Sequence, residues 1–130
     1  MALHLAILRE PYLSRILAGV KTIESRFLRV RAAPYGRVAV GDTLLLKRTG
    51  GPVVATAQAV RVVTFDDLTP ERVTALIERY AAELCLDDDI RSRACHSCYA
   101  VFIWLTDVTP ITDPPALSKR DRRAWVVLES

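Results

Sequence analysis

From position 19 the chain reads Gly-Val-Lys-Thr-Ile-Glu-Ser-Arg, which puts an ammonium at Lys21, a carboxylate at Glu24 and a guanidinium at Arg26. Three charges at the start of a stretch otherwise suited to a buried strand contradict the local pattern, and such contradictions concentrate at functional sites. A lysine and a glutamate sharing a partly dry cleft stabilise each other's charged forms, while burial opposes both. As a binding device, Lys21 contacts a phosphate or a base carbonyl and Glu24 accepts from an exocyclic amine or a ribose hydroxyl, with Arg26 holding the carboxylate through a bidentate pair. As a catalytic device, Lys21 or Glu24 moves a proton while the other stabilises developing charge. The plain alternative is a surface ion pair beside a strand, worth about 0–1 kcal/mol.

Further side chains suit nucleic acid, which needs cations for phosphates and flat rings for bases. Arg29, Arg31 and Arg37 surround Tyr35 on one loop, and Lys119, Arg120, Arg122 and Arg123 precede Trp125 near the end of the chain. A solvated charged loop is the competing explanation for both, and adjacency to the Lys21 cleft decides between them. Cys95, His96 and Cys98, with Cys85 upstream, have zinc-ligand chemistry. A structural zinc site draws on two separated ligand pairs and no second pair exists, so the expectation is no metal and no cofactor. Asp87, Asp88 and Asp89 lack the ligand and glycine spacing of a calcium loop and are expected in a solvated acidic loop.

The elements that position these groups follow from periodicity. Leu3 to Leu8, apolar on both faces, is expected as a central strand. Pro11 suits the first turn of a short helix whose buried stripe is Tyr12, Ile16 and Leu17, with Arg15 off it and Gly19 as the left-handed stop. A regular strand from Lys21 to Phe27 places Glu24 and Arg26 on one face and Lys21 on the other. Lys21 and Glu24 therefore reach one cleft only if the backbone at Lys21 is still leaving the helix, or bulges. Gly41-Asp42 turns the chain into Thr43 to Lys47, and Gly50-Gly51-Pro52 connects it to a long strand, Val53 to Phe65, as a hairpin. Ala55, Ala57 and Ala59 alternate along that strand, as a curved barrel wall requires.

Thr69-Pro70-Glu71 is a helix start, and Val73, Leu76, Ile77, Tyr80, Ala81 and Leu84 extend its apolar face. Cys98 is expected to open a buried strand running over Tyr99 to Thr106, with Phe102 and Trp104 in the core and Cys95 and His96 in the preceding loop. Val108 to Leu117, broken by prolines, reads as an edge strand or irregular loop. Trp125 to Leu128 closes the sheet.

The 130 residues, 51% hydrophobic and 25% charged, suit one domain over 1–130 with one sizeable core. No apolar run reaches the length of a membrane span, and the N-terminus has no signal-peptide pattern, so a cytoplasmic location without membrane partners is expected. Three cysteines without an export signal argue for reduced thiols. The net charge of +3 is unevenly spread, with nine Lys/Arg against three Asp/Glu over residues 1–50, three against eight over 51–90 and six against four over 91–130. Such segregation gives one positive face for a polyanion.

The Gly19-to-Arg26 string, the approach Arg9-Glu10-Pro11-Tyr12, the run Val40-Gly41-Asp42 and the closing Arg123-Ala124-Trp125-Val126-Val127-Leu128 together resemble the ASCH domain, a branch of the PUA-like superfamily. The resemblance implies an α+β fold, a mixed β-barrel of about six strands with two main helices. It also implies a cleft between barrel and first helix that takes RNA or a modified nucleoside and is lined by the Lys21, Glu24 and Arg26 motif; Arg9 and Tyr35 are the further ligand-binding candidates. Some ASCH-like proteins hydrolyse the acetyl amide of N4-acetylcytidine with a lysine at the place of Lys21, a threonine three residues on and a distant glutamate. Others are ribonucleases or RNA-binding modules. Here Glu24 stands at the threonine's place, Thr22 and Ser25 are out of register, and Glu78 or Glu83 are offset candidates for the distant acid. Three functions are therefore weighed: an RNA- or nucleoside-binding module, a small amidohydrolase using Lys21 and Glu24, and a protein-interaction or regulatory domain.

Overall fold

A computed structural model of the chain describes residues 1–115 and 123–129. The elements run β1 (Leu3–Leu8), α1 (Tyr12–Leu17), β2 (Ile23–Leu28), β3 (Thr43–Arg48), β4 (Val53–Phe65), α2 (Pro70–Arg79), α3 (Ala81–Leu84), α4 (Asp88–Ala94), β5 (Tyr99–Pro110) and β6 (Trp125–Glu129). The six strands form one mixed sheet in the order β2-β5-β4-β3-β1-β6, curled into a half-barrel. The β1–β3 pairing is parallel and the others are antiparallel. This agrees with the α+β, PUA-like barrel that the resemblance implies, with four helices among the described residues in place of two main ones.

Side-chain size explains the curl. One apolar cluster gathers Ala6, Ala55, Ala57 and Ala59 with Leu44, Leu46, Val101 and Ile103, and α1 contributes Leu13 and Ile16 to it. Small residues on the concave face let the strands close around the helix. The convex face carries a separate aromatic cluster, where Phe102 meets Phe27, Phe65 and Tyr80 edge-on at 5.7, 5.0 and 5.8 Å between ring centroids. The helices after β4 cover this second cluster, with Leu84 fully buried in it.

Several expectations shift in detail. The buried residues of α1 are Tyr12, Leu13 and Ile16, while Leu17 is exposed, because the helix is only six residues long and packs on one narrow stripe. Pro11 occupies the N-cap position rather than the first turn, and Gly19 has the expected left-handed backbone, φ 77°. The helix expected to continue to Leu84 breaks at Tyr80 into α2 and α3. The aspartates placed in a loop open α4: the Asp87 carboxylate accepts from the Ile90 N–H at 2.9 Å and Asp88 and Asp89 form the first turn. An N-cap followed by acids stabilises a helix start, which a reading of these residues as loop overlooks. Cys98 is exposed rather than the start of a buried strand. Trp104 is half-buried, and β5 runs on to Pro110, taking in the first residues expected as loop.

Candidate functional site

Lys21 lies two residues before β2 begins, and this resolves the parity problem that a strand from Lys21 posed. After Gly19 reverses the chain, the N–H groups of Val20 and Lys21 both donate to Arg15 O at 3.0 Å, holding the segment to the end of α1. The Thr22 N–H then donates to Glu83 O at 3.1 Å, and Thr22 O accepts from the Leu105 N–H at 2.9 Å. Lys21 is thereby fixed outside the pleat, with its side chain under the end of α3, where its ammonium donates to Leu84 O. That carbonyl belongs to the last turn of a helix and has no partner within it.

Glu24 and Arg26 follow the ordinary strand rule. They pair with Ile103 and Val101, both members of the concave cluster, so the two charges face the barrel interior from an edge strand. Inward-pointing charge is one way an edge strand is kept from pairing with another chain. Arg26 spans the seam of the half-barrel: Nη2 donates to Ile7 O at 3.0 Å and Nη1 to Ala124 O at 3.3 Å, and the guanidinium lies 5.2 Å from the Trp125 ring centroid. The same Nη2 is 3.0 Å from Glu24 Oε2, and Glu24 Oε1 accepts from the Ser25 N–H at 3.0 Å.

Lys21 Nζ stands 3.9 Å from Glu24 Oε1, an ion pair too long for a hydrogen bond. Both residues are almost fully buried, at 2% and 4% exposure. Burial pushes the Lys21 ammonium below the ordinary lysine range, and the Glu24 carboxylate acts against that displacement. Tyr12 completes the group: its ring centroid lies 5.5 Å from Lys21 Nζ and 5.8 Å from the Arg9 guanidinium. Burial also raises Tyr12 above the usual phenol range, and its hydrogen bond with the Asp87 carboxyl adds to the shift.

These side chains line a cleft of about 550 Å³ at the seam between β1, β2 and α4, within the range of about 300–1,000 Å³ common for small-molecule sites. Its described lining is cationic at Arg9, Lys21, Arg26, Arg93 and Arg123 and anionic at Glu24, over apolar surface from Ile7, Phe27, Leu86 and Ile90. Tyr12, expected as core, is both buried and part of the lining.

The structure thus brings together Arg9, Lys21, Glu24, Arg26 and Arg123, and leaves other candidates elsewhere. Tyr35 is outside the described cleft lining. Its ring meets Tyr99 edge-on at 5.3 Å, and its hydroxyl donates to Asp66, which raises it above the usual phenol range. Arg31 lies over both rings, at 5.8 Å from Tyr35 and 5.3 Å from Tyr99, while Arg29 and Arg37 are exposed on the same loop. Lys119, Arg120 and Arg122 lie outside the described residues. Among the described residues no three His, Cys, Asp or Glu side chains converge as a metal site, and no helix is long and apolar enough to cross a membrane.

Arg93, Ala94, Ile90 and Leu86 were not anticipated in the cleft. Their signal was the spacing Ile90, Arg93, Ala94 after the Asp87 cap, which is one face of a helix.

No family model and no curated protein sequence matches the chain. Solved structures do. A serine-to-alanine variant of ZmASCH from Zymomonas mobilis matches with a TM-score of 0.73 at 21% identity, over 98% of this chain and 88% of that one. A tyrosine-to-phenylalanine variant of the same protein matches with a TM-score of 0.67 at 24% identity, over 88% and 76%. The crystal structure titled ASCH from Zymomonas mobilis matches with a TM-score of 0.66 at 23% identity, over 86% and 71%. With the residue pattern around Lys21, these likenesses give the chain its fold, that of the ASCH domain.

Proposed function

We propose that the chain is a binding module for RNA or a nucleoside-like ligand, which enters the seam cleft and meets Lys21 and Glu24 at its buried end. One observation carries the reading: a lysine and a glutamate, nearly excluded from water and 3.9 Å apart, both line a cleft of about 550 Å³. A pair kept only for stability gains by closing to hydrogen-bond distance, because desolvation otherwise outweighs the attraction. Beyond its bond to Leu84 O the Lys21 ammonium has two further N–H groups, and each Glu24 oxygen has a lone pair beyond its bond to Ser25 or Arg26, so the separated pair still offers a donor and an acceptor to a base edge or ribose hydroxyl. Arg9, Arg93 and Arg123 around the same cleft suit a polyanion.

The depressed Lys21 ammonium beside a carboxylate also suits proton transfer, which supports hydrolysis of an acylated cytidine as the second reading. With Glu24 at the place of the hydroxyl nucleophile, that reaction runs through water activated by the carboxylate. The test is calorimetric titration with cytidine, N4-acetylcytidine and a short single-stranded RNA, together with assay of N4-acetylcytidine turnover. Binding lost in Lys21→Ala without turnover supports the module. Turnover abolished by Lys21→Ala supports the hydrolase. No response to any of the three compounds sinks both and leaves a protein-interaction or regulatory domain.

A further inference from the structure

The mouth of the cleft already holds an anion of the chain's own. Asp89 Oδ2 lies 3.0 Å from Arg93 Nη2 and 3.6 Å from Arg9 Nη2, so one carboxylate oxygen faces two guanidiniums that both line the cleft. Asp89 and Arg93 meet by ordinary helical spacing, but Arg9 comes from the end of β1 and is brought there by the fold. All three side chains are well exposed, at 68% for Asp89, 59% for Arg93 and 47% for Arg9. Ion pairs in that much solvent are weak and easily exchanged.

A phosphate offers the same two guanidiniums more charge and more acceptor oxygens than the carboxylate does, enough for each planar guanidinium fork to pair with two of them. The charge around the cleft also calls for an anion. At the buried end Lys21 and Arg26 face Glu24, and at the mouth Arg9 and Arg93 face Asp89. Lys21 and Arg9 are linked through the single ring of Tyr12, at 5.5 and 5.8 Å from its centroid. One nucleotide can therefore reach both, with its base inward and its phosphate at the rim.

We infer that the cleft takes a nucleoside 5′-monophosphate, its phosphate seated between Arg9 and Arg93 in place of the Asp89 carboxylate, which acts as a built-in competitor. This rests on the proposed base site at Lys21 and Glu24. It predicts that removing an acid strengthens binding, and only for phosphorylated ligands.

The experiment is calorimetric titration of the wild type, Asp89→Asn and Arg93→Gln with cytidine, cytidine 5′-monophosphate, ribose 5-phosphate and the dinucleotide CpC, at two salt concentrations. All three positions are on the surface, and thermal melts check that the variants fold. The nucleotide should bind about tenfold tighter than cytidine, as a charge-assisted contact implies, and Arg93→Gln should erase that advantage. Asp89→Asn should tighten the nucleotide and ribose 5-phosphate several-fold and leave cytidine unchanged. Equal binding of cytidine and its monophosphate, or an equal effect of Asp89→Asn on both, overturns the phosphate seat while leaving the base site standing. Ribose 5-phosphate bound without cytidine keeps the seat and overturns the base site. CpC gaining as much as the monophosphate overturns the mononucleotide assignment in favour of a phosphate within an RNA chain, and no binding by any ligand overturns both sites.

Discussion

Two buried acid–base clusters stand at different places in the half-barrel, and they are built on opposite principles. In the first, Asp42 accepts from the N–H groups of Ala2 and Ala39 at 3.0 and 2.9 Å and from His4 Nε2 at 2.9 Å. His4 Nδ1 accepts in turn from Trp125 Nε1 at 3.1 Å, which fixes the imidazole proton on Nε2. Every hydrogen-bonding group is used, and the cluster ties β1, β6 and the turn before β3 together. In the second, Lys21 and Glu24 stop short of a hydrogen bond and line a cleft. Burial alone is thus a poor marker of function; what separates the two clusters is that His4 and Asp42 bond to each other outside the described cleft lining, whereas Lys21 and Glu24 bond to other partners and line the cleft without bonding to each other.

The largest expected effect comes from breaking the first cluster. Asp42→Ala leaves the His4 N–H and two backbone N–H groups without their acceptor, and urea unfolding should record a loss of about 3–5 kcal/mol. The folded fraction should bind ligand as before. Arg26→Met comes next, because it removes the bonded partner of Glu24 and two donors across the seam, with an expected loss of about 2–3 kcal/mol by the same measurement.

The two clusters should also change stability in separate pH windows, with the same sign, since both folded pKa values are depressed. Burial raises the Asp42 carboxyl, but hydrogen bonds from the Ala39 N–H, His4 and the Ala2 N–H outweigh it and hold the group below the ordinary 3.8. Its folded value being depressed, its contribution to stability is present above the unfolded value and is lost as pH falls through the folded one. Lys21 is also depressed, from an ordinary 10.5, but it is a base. The folded state releases its proton first, so stability rises as pH climbs from the folded value of Lys21 toward 10.5. Unfolding curves across pH should show the acid loss vanish in Asp42→Asn and the alkaline gain vanish in Lys21→Met.

The smallest effect on stability is expected at Lys21 and Glu24. Lys21→Met takes the donor from Leu84 O, but it also removes a desolvated ammonium, and Glu24 keeps Arg26 and the Ser25 N–H, so stability should change by no more than about 1 kcal/mol while ligand binding weakens about tenfold or more. Glu24→Gln should likewise weaken binding more than it lowers stability. A large stability loss in Lys21→Met would make the second cluster structural after all and erase the contrast.

Most of the strand framework was legible because its cues are local. The alternating alanines of β4, the Gly50-Gly51-Pro52 turn and the Thr69-Pro70 cap each act within a few residues, and the structure follows them. The Lys21–Glu24 meeting was legible as a condition, since alternation forbade it unless the strand began late, and β2 begins at Ile23. What the local signals concealed was set by tertiary packing. Asp87, Asp88 and Asp89 look like a solvated loop until α4 is seen to place Ile90 and Arg93 at the cleft. The His4–Asp42–Trp125 cluster joins residues from both ends of the chain, and no spacing rule links them. Tyr35 looked like a stacking platform from its arginine neighbours, but its ring packs with Tyr99 outside the described cleft lining.

The most direct test of the central claim is a backbone amide NMR titration of the wild-type chain with cytidine 5′-monophosphate. The account predicts shift changes clustered at Lys21, Glu24, Ser25, Ile90 and Arg93, with His4 and Asp42 unmoved. Changes centred on Tyr35 and Tyr99, or no changes at saturating nucleotide, would contradict it.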